Sequence, residues 1–358
     1  MKTKWLLAIA ACSMFASCNK EQVDLSGAGA TFPQPYYNLA FKNFQEKFNK
    51  DAANEKVTIS YGGIGSGGGI RSLKSQVADF AGSDAFVSDD EQKEMPATIH
   101  IPTCLGAVVM SYNLKDVKDL KLTSSLISKI YLGKITKWND AEIAAVNPEL
   151  TLPDKAITPV YRSDGSGTTF NFSDFMTKSD PQWALALGSG KSLNFSVGVS
   201  GKGNPGVAGI IEQTEGSIGY IGSEYAFAQN LPIARIQNSN GEFIMPNEES
   251  ISLSADGYIP DDLRYTISNS SVKGAYPMSC LTWIVVYKEQ AYANRSEKKS
   301  EALVNLLYYM LSQEAQSTTS KVNYAPLPDK VIKKARKAIS TMTYNGKEIE
   351  ATYAQQEI

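Results

Sequence analysis

Apolar positions along the chain repeat with two periods, and glycines cluster where one period gives way to the other. Val57, Ile59 and Tyr61 alternate as in a half-buried strand, and residues 62–69 follow as a glycine-rich loop. Ile70, Leu73, Val77 and Phe80 then fall at helical spacing. Residues 27–33, Gly-Ala-Gly-Ala-Thr-Phe-Pro, precede another helical stripe of Tyr37, Ala40, Phe41, Phe44 and Phe48. A short strand over 158–161 runs into Arg162-Ser163-Asp164-Gly165-Ser166-Gly167-Thr168-Thr169, and Phe172, Phe175 and Met176 predict a helix beyond it. A fourth loop, 198–209, leads into Val207, Ile210 and Ile211. Further strands are predicted over 107–112, 218–221 and 282–287, with surface turns at 238–241 and 260–262. Strand, glycine-rich loop and helix in repetition predict an α/β architecture.

The first residues follow neither period. Lys2 and Lys4 open the chain, and Trp5 to Ser17 is a mostly apolar run. It is shorter than the roughly 20 residues a membrane-spanning helix needs, and it suits the apolar core of an export signal. The run ends at Phe15-Ala16-Ser17-Cys18 and turns polar at Asn19-Lys20-Glu21. Small residues before a cysteine at such a boundary resemble a bacterial lipobox, so Cys18 is the expected lipidation site. Ile9-Ala10-Ala11-Cys12 also fits that pattern, but Cys12 would leave the apolar stub Ser13-Met14-Phe15-Ala16 outside the membrane. Residues 1–22 are therefore set aside as signal and tether. What remains of the 358 residues exceeds what one core usually organises, which predicts two domains. The charge is nearly balanced, 35 Lys and Arg against 37 Asp and Glu, which argues against a nucleic-acid surface. Cys104 and Cys280 are too few for a disulfide framework, and pairing and two buried free thiols are both open from the sequence.

Three loops share one composition: small residues with Ser or Thr hydroxyls, directly before a helix. The first turn of a helix presents unpaired N–H groups and the positive end of the macrodipole. Glycine lets a ligand approach the backbone, and hydroxyls add donors, so such loops make oxyanion sites. The donor sets are Thr31 with Phe32, Ser66, and Ser166-Gly167-Thr168. Any one of these loops could serve only as a cap. Arg162 can supply charge and a planar fork of donors, and Asp164 is placed to orient it. Asp84 is out of keeping beside an anion until protons are counted. Phosphate keeps a proton near pH 7 and sulfate does not, so a carboxylate accepts from one and repels the other.

These segments resemble the phosphate-binding proteins of high-affinity phosphate ABC transporters. The resemblance rests on residues 27–33, Gly63-Ile64-Gly65-Ser66-Gly67-Gly68, the stretch from Asp79 to Asp84, Ile130-Tyr131-Leu132-Gly133-Lys134-Ile135 with Trp138, and Asp164-Gly165-Ser166-Gly167-Thr168. Gly201-Lys202-Gly203-Asn204 and Ser217-Ile218-Gly219-Tyr220 extend it through nearly the whole chain. Gly67 stands where a second serine is common in the family. The resemblance implies a two-domain periplasmic-binding-protein fold of type II-like form: two α/β lobes joined by two crossover strands and closing on phosphate. It implies that residues 23–105 and 271–358 form lobe I, that 106–270 form lobe II, and that the chain crosses near Gly106 and Tyr276. It implies phosphate contacts at Thr31, Phe32 (through its N–H), Ser66, Asp84, Arg162, Ser166, Gly167 and Thr168, with Gly65, Asp164 and Gly165 in support. Cys104 and Cys280 would lie near the crossings, where a hinge disulfide is an expectation to test. The implied partners are inorganic phosphate, the permease subunits of the transporter, and the membrane through an N-terminal lipid, with no cofactor and no catalytic or metal site. The implied location is the extracytoplasmic face of a bacterial envelope.

Other readings explain less. Gly63, Gly65 and Gly68 satisfy the spacing of a dinucleotide-binding loop, but an exported lipoprotein has no obvious supply of nicotinamide cofactor. A serine hydrolase or phosphatase would have to use the only histidine, His100, which nothing places near Ser66 or Ser166. Binding of sulfate, molybdate or tungstate is the nearer rival, and Asp84 is the residue that separates it. Residues 238–271 carry few recognisable motifs, and the sequence gives no reason for the segment's length.

Overall fold

The computed structural model describes residues 22–51 and 55–355. The N-terminal apolar run, Cys12 and Cys18 lie outside them. The strands are β1 (Gln22–Gly29), β2 (Lys56–Gly63), β3 (Phe80–Ser83), β4 (Thr98–Tyr112), β5 (Lys121–Leu122), β6 (Thr158–Arg162), β7 (Val199–Gly201), β8 (Ser217–Gly222), β9 (Arg235–Gln237), β10 (Phe243–Ile244), β11 (Ser279–Tyr287), and a terminal two-stranded ribbon of β12 (Thr343–Tyr344) and β13 (Lys347–Glu348). Eight of them form one continuous sheet in the order β2-β1-β3-β11-β4-β8-β6-β7, and β10-β9-β5 form a small second sheet.

The long strand β4 joins two parallel units. Over Thr98 to Ala107 it pairs antiparallel with β11, which in turn pairs with β3 beside the parallel trio β2-β1-β3. From Val108 to Tyr112 it pairs antiparallel with β8, beside the parallel trio β8-β6-β7. Lobe I is built on the first trio and lobe II on the second, with β4 running from one into the other and the chain returning to lobe I at β11. Their pairing slips once: Thr282 faces Cys104 and Trp283 faces Pro102, so Thr103 is an extra residue on β4. A bulge there accommodates the missing N–H of Pro102 inside a ladder. Every residue of β11 is buried, as expected of a strand at the centre of a covered sheet.

Helix α1 (Gln34–Phe48) buries Tyr36, Tyr37, Ala40, Phe41, Phe44 and Phe48 on one face, and Pro35 sits in its first turn where no intrahelical N–H bond is lost. Each buried aromatic of this kind contributes about 1.5–3 kcal/mol. Helix α2 (Ser66–Lys74) is shorter than the apolar spacing predicts. Gln76 adopts a left-handed backbone with φ 57°, Val77 is 73% exposed, and Phe80 begins β3 instead of extending the helix. Only Ile70 and Leu73 of that stripe are helical core positions.

The hinge disulfide is not formed: Cys104 and Cys280 are free and buried. Cys104 is in register with Thr282 and Cys280 with Gly106, so the two cysteines are diagonal neighbours. Diagonal positions lie roughly 7–8 Å apart, longer than the span a disulfide usually bridges.

The motif-poor stretch 238–271 has a structural role. Asn238 caps the β9–β10 turn, accepting from the N–H groups of Asn240 and Glu242 at 3.0 Å each. After the helix Glu248–Leu253 the chain lies across both lobes. Lys178 of lobe II donates to Thr266 Oγ1 at 2.7 Å and Ser268 Oγ at 3.0 Å. Arg264 donates to the Val87 carbonyl at 3.0 Å and to Asp89 at 2.8 Å on lobe I, and Trp283 donates to the Leu263 carbonyl at 2.9 Å. Lys330 and Lys334 pair with Asp256 and Asp261. The length of this stretch is what it takes to run from β9 back to β11 while holding both lobes.

Candidate functional site

Four helices begin where the two lobes meet. On lobe I, α1 follows Thr31-Phe32-Pro33 and α2 follows Gly65. On lobe II, the helix Gly167–Ser179 follows Ser166, whose Oγ caps it by accepting from the Thr169 N–H at 3.0 Å. The helix Gly203–Gln213 follows Lys202. Their first turns touch directly: the Gly67 N–H donates to the Gly165 carbonyl at 2.8 Å, and the Gly167 N–H donates to Ser66 Oγ at 3.1 Å. So close a meeting requires glycine. A Cβ on Gly167 would lie 2.4 Å from Ser66 Oγ and 2.7 Å from Asp84 Oδ2, and one on Gly65, whose φ is +81°, would lie 2.2 Å from Asp164 Oδ2.

The turn before α1 is held by tyrosines. Tyr61 donates to the Ala30 carbonyl at 2.9 Å, Tyr225 to the Thr31 carbonyl at 2.6 Å, and Tyr324 to the Phe32 carbonyl. In a planar trans peptide the N–H points away from the carbonyl, so anchoring the Thr31 carbonyl fixes the direction of the Phe32 N–H.

The junction holds the cation Arg162 and two carboxylates of different character, Asp164 and Asp84. Arg162 donates through Nε and Nη2 to Asp164 at 2.8 and 2.5 Å, and through Nη1 to Thr168 Oγ1 at 3.1 Å. Burial works to raise Asp164, but the Arg162 guanidinium and the Gly203 N–H outweigh it and hold its carboxyl below the usual range. Asp84 is 1% exposed and accepts the Thr282 hydroxyl on Oδ1 at 2.8 Å. Burial pushes Asp84 up to about 7, against the opposing pull of the Thr282 hydroxyl and the Arg162 charge. An acid at that value can either accept or donate a hydrogen bond near neutral pH. Its other oxygen, Oδ2, faces Gly167 and Ser66.

Thr31, Ser66, Asp84, Arg162, Gly167 and Thr168 are therefore joined by direct contacts or shared partners, and Phe32 and Ser166 enter as their chain neighbours. All the side chains among them are buried. Gly65, Asp164 and Gly165 pack within this junction. His100 stands apart: its Nε2 accepts from the Val87 N–H at 3.0 Å, and burial lowers it to about 3. Hollows of about 850 and 630 Å³ lie elsewhere on the protein, lined by residues such as Tyr308 and Lys337, so size does not find this site. A crevice of about 160 Å³ lined by Thr31, Gly65, Asp164 and Lys202 does reach it.

Sequence reasoning missed three residues here. Asn204 was visible only as part of a glycine-rich match, yet it binds both Thr31 and Thr168. Tyr225 and Thr282 carry no local signal; the fold brings Thr282 to Asp84 across 198 positions of sequence.

A family described as a PBP superfamily domain matches residues 16–314. The phosphate-binding protein PstS of Xylella fastidiosa (strain Temecula1) is 35% identical over 318 residues, which are 87% of this chain and 84% of that one. The phosphate-binding protein PstS of Haemophilus influenzae is 33% identical over 325 residues, covering 89% and 92%. Among solved structures, a phosphate-binding protein from Stenotrophomonas maltophilia superposes with a TM-score of 0.68 at 17% identity, covering 92% of this chain and 96% of that one. A phosphate ABC transporter substrate-binding protein from Clostridium perfringens, solved with bound phosphate, gives 0.61 at 19% identity, covering 85% and 100%.

Proposed function

Because the chain belongs to the phosphate-binding protein family of the PBP superfamily, we propose that it captures inorganic phosphate between its lobes and delivers it to a membrane ABC importer. It is a transport component and not an enzyme. One observation carries the reading beyond the family: four helix starts, one arginine and one carboxylate of raised pKa meet in a single buried junction. Burying a multiply charged anion is costly unless donors meet its lone pairs, and this junction is rich in donors.

In this reading Thr31, the Phe32 N–H and Ser66 donate from lobe I, and Arg162, Ser166 and Thr168 donate from lobe II, while Gly167 lines the site and holds Ser66 through its N–H. Ser66 Oγ already accepts from the Asp84 N–H at 3.2 Å and the Gly167 N–H at 3.1 Å, so its own proton is free to be donated. Asp84 is the acceptor for the phosphate proton. Asp164 aligns Arg162, and Gly65 and Gly165 let the lobes approach. Because donors come from both lobes, only the closed form makes the full set, and phosphate shifts the protein toward closure. Residues 23–105 with 271–358 are read as lobe I and 106–270 as lobe II, a division supported by the change of β4 partner between Ala107 and Val108.

The protein is exported, and tethering through Cys18 is the finer proposal, supported by Phe15-Ala16-Ser17-Cys18. Metabolic labelling with a fatty acid should mark the wild type and not Cys18→Ala. The binding reading is tested by calorimetric titration at pH 7 of protein stripped of anions by unfolding and refolding. Saturable phosphate binding is expected, with sulfate binding far more weakly. Equal response to both, or to neither, would remove the assignment.

A further inference from the structure

We propose that Asn204 is a positioning residue that turns the hydroxyls of Thr31 and Thr168 into obligate donors and couples them across the lobes. The proposal rests on the phosphate reading of the site and assigns a role to a residue outside the expected ligand set.

The argument is a count of protons and lone pairs. Asn204 is fully buried, and the Gly222 N–H points at its Oδ1 at 3.2 Å. A backbone N–H can only donate, so this contact fixes the amide orientation and leaves Nδ2 facing the site. Nδ2 has two hydrogens and two partners, Thr31 Oγ1 at 3.2 Å and Thr168 Oγ1 at 3.2 Å. The Asn204 N–H also donates to Thr31 Oγ1, at 3.0 Å. Thr31 thus receives two donors. Thr168 receives two as well, from Asn204 and from Arg162 Nη1 at 3.1 Å. A hydroxyl has two lone pairs and one proton. With both lone pairs engaged, each threonine has only its proton to offer, and an acceptor-rich anion is the ligand that uses it. The same amide spans the junction, because Thr31 belongs to lobe I and Thr168 to lobe II. Closure and donor alignment are therefore one event at this residue.

The test is a double-mutant cycle in phosphate titration with Asn204→Ala, Thr168→Val and the pair, in the full-length protein. Asn204→Ala should weaken phosphate binding by about 10- to 100-fold, chiefly through faster release. In the Thr168→Val background the same change should cost clearly less, because one of its two targets is gone. A purely structural role would give additive losses in the cycle, and additivity overturns the proposal. Asn204→Asp keeps the side-chain shape and the contact to Gly222 but offers no donor. Burying its charge should lower the thermal midpoint without phosphate, and the folded variant should lose at least as much affinity as Asn204→Ala. Unfolding of both Asn204 variants would assign the residue to structure and overturn the proposal. Wild-type protein that binds no phosphate would remove the site reading and this proposal with it. Wild-type binding with an unchanged Asn204→Ala variant would remove this proposal alone.

Discussion

On lobe II the charge at the junction is Arg162, engaged on two nitrogens by Asp164 and aimed by Thr168; on lobe I it is Asp84, steadied by the neutral hydroxyl of Thr282. The first pairing keeps its acid ionised, since Asp164 is held below the usual carboxylate range. The second leaves an acid raised to about 7, able to change its proton within the physiological range. Lobe II attracts any small anion of the right size, whereas lobe I asks whether the anion carries a proton. Capture and discrimination are thus carried by different lobes and combined only on closure.

The largest expected effect is at the attracting pole. Arg162→Met removes the cation and leaves the largely enclosed Asp164 with the Gly203 N–H as a remaining donor. Losing one member of a buried charged pair costs about 2–5 kcal/mol, so phosphate affinity should fall by at least about 30-fold and sulfate should gain nothing. Titration of the variant with both anions checks this.

Asp84→Asn should act on discrimination instead. An amide can donate to a sulfate oxygen, so the preference for phosphate should drop by about 100-fold or more. The same variant has a stability signature. The raised acid stays protonated in the native state at a pH where the unfolded chain has ionised, so the native state binds more protons between about 4 and 7. Stability without ligand therefore falls as pH rises through that window. Asp84→Asn should raise the thermal midpoint at pH 8, and the gain should fade toward pH 4. A scan of melting temperature against pH measures it.

The smallest effect is expected at the rim, where Glu91 of lobe I meets Lys191 of lobe II. Burial opposes the charge of Glu91, but Lys191 and the Ser88 N–H bring its pKa down. Such a lowered acid contributes above its unfolded pKa and loses the contribution as pH falls through its folded value. The pair is partly exposed and worth up to about 1 kcal/mol, so Glu91→Gln should speed phosphate release by no more than about fivefold, less at high salt. Stopped-flow release rates would show it.

Much of this comparison was legible in the sequence because it rests on local chemistry. The stripe of α1 and the loops before Ser66 and Gly167 each declare themselves within about ten residues, by period, glycine and hydroxyl. What escaped is non-local or disguised. β1 reads as a loop because glycine and alanine occupy its end, yet it is a strand through Gly29. Val77 keeps helical spacing but falls beyond the left-handed Gln76. β4 is one strand of fifteen residues where Pro102 suggests a break, because Thr103 bulges to absorb it. Thr282 and Asn204 become site residues only when the crossover strands and the second lobe place them.

The division of labour is tested most directly by the wild-type affinities for phosphate and sulfate across pH 6 to 9. Sulfate brings no proton, so it should bind only protein whose Asp84 is protonated. Its affinity should fall by nearly tenfold per pH unit above about 7 and level off below. Phosphate brings its own proton and should hold nearly constant over the same range. A sulfate affinity indifferent to pH, or a phosphate affinity that falls as steeply, would contradict the role given to Asp84.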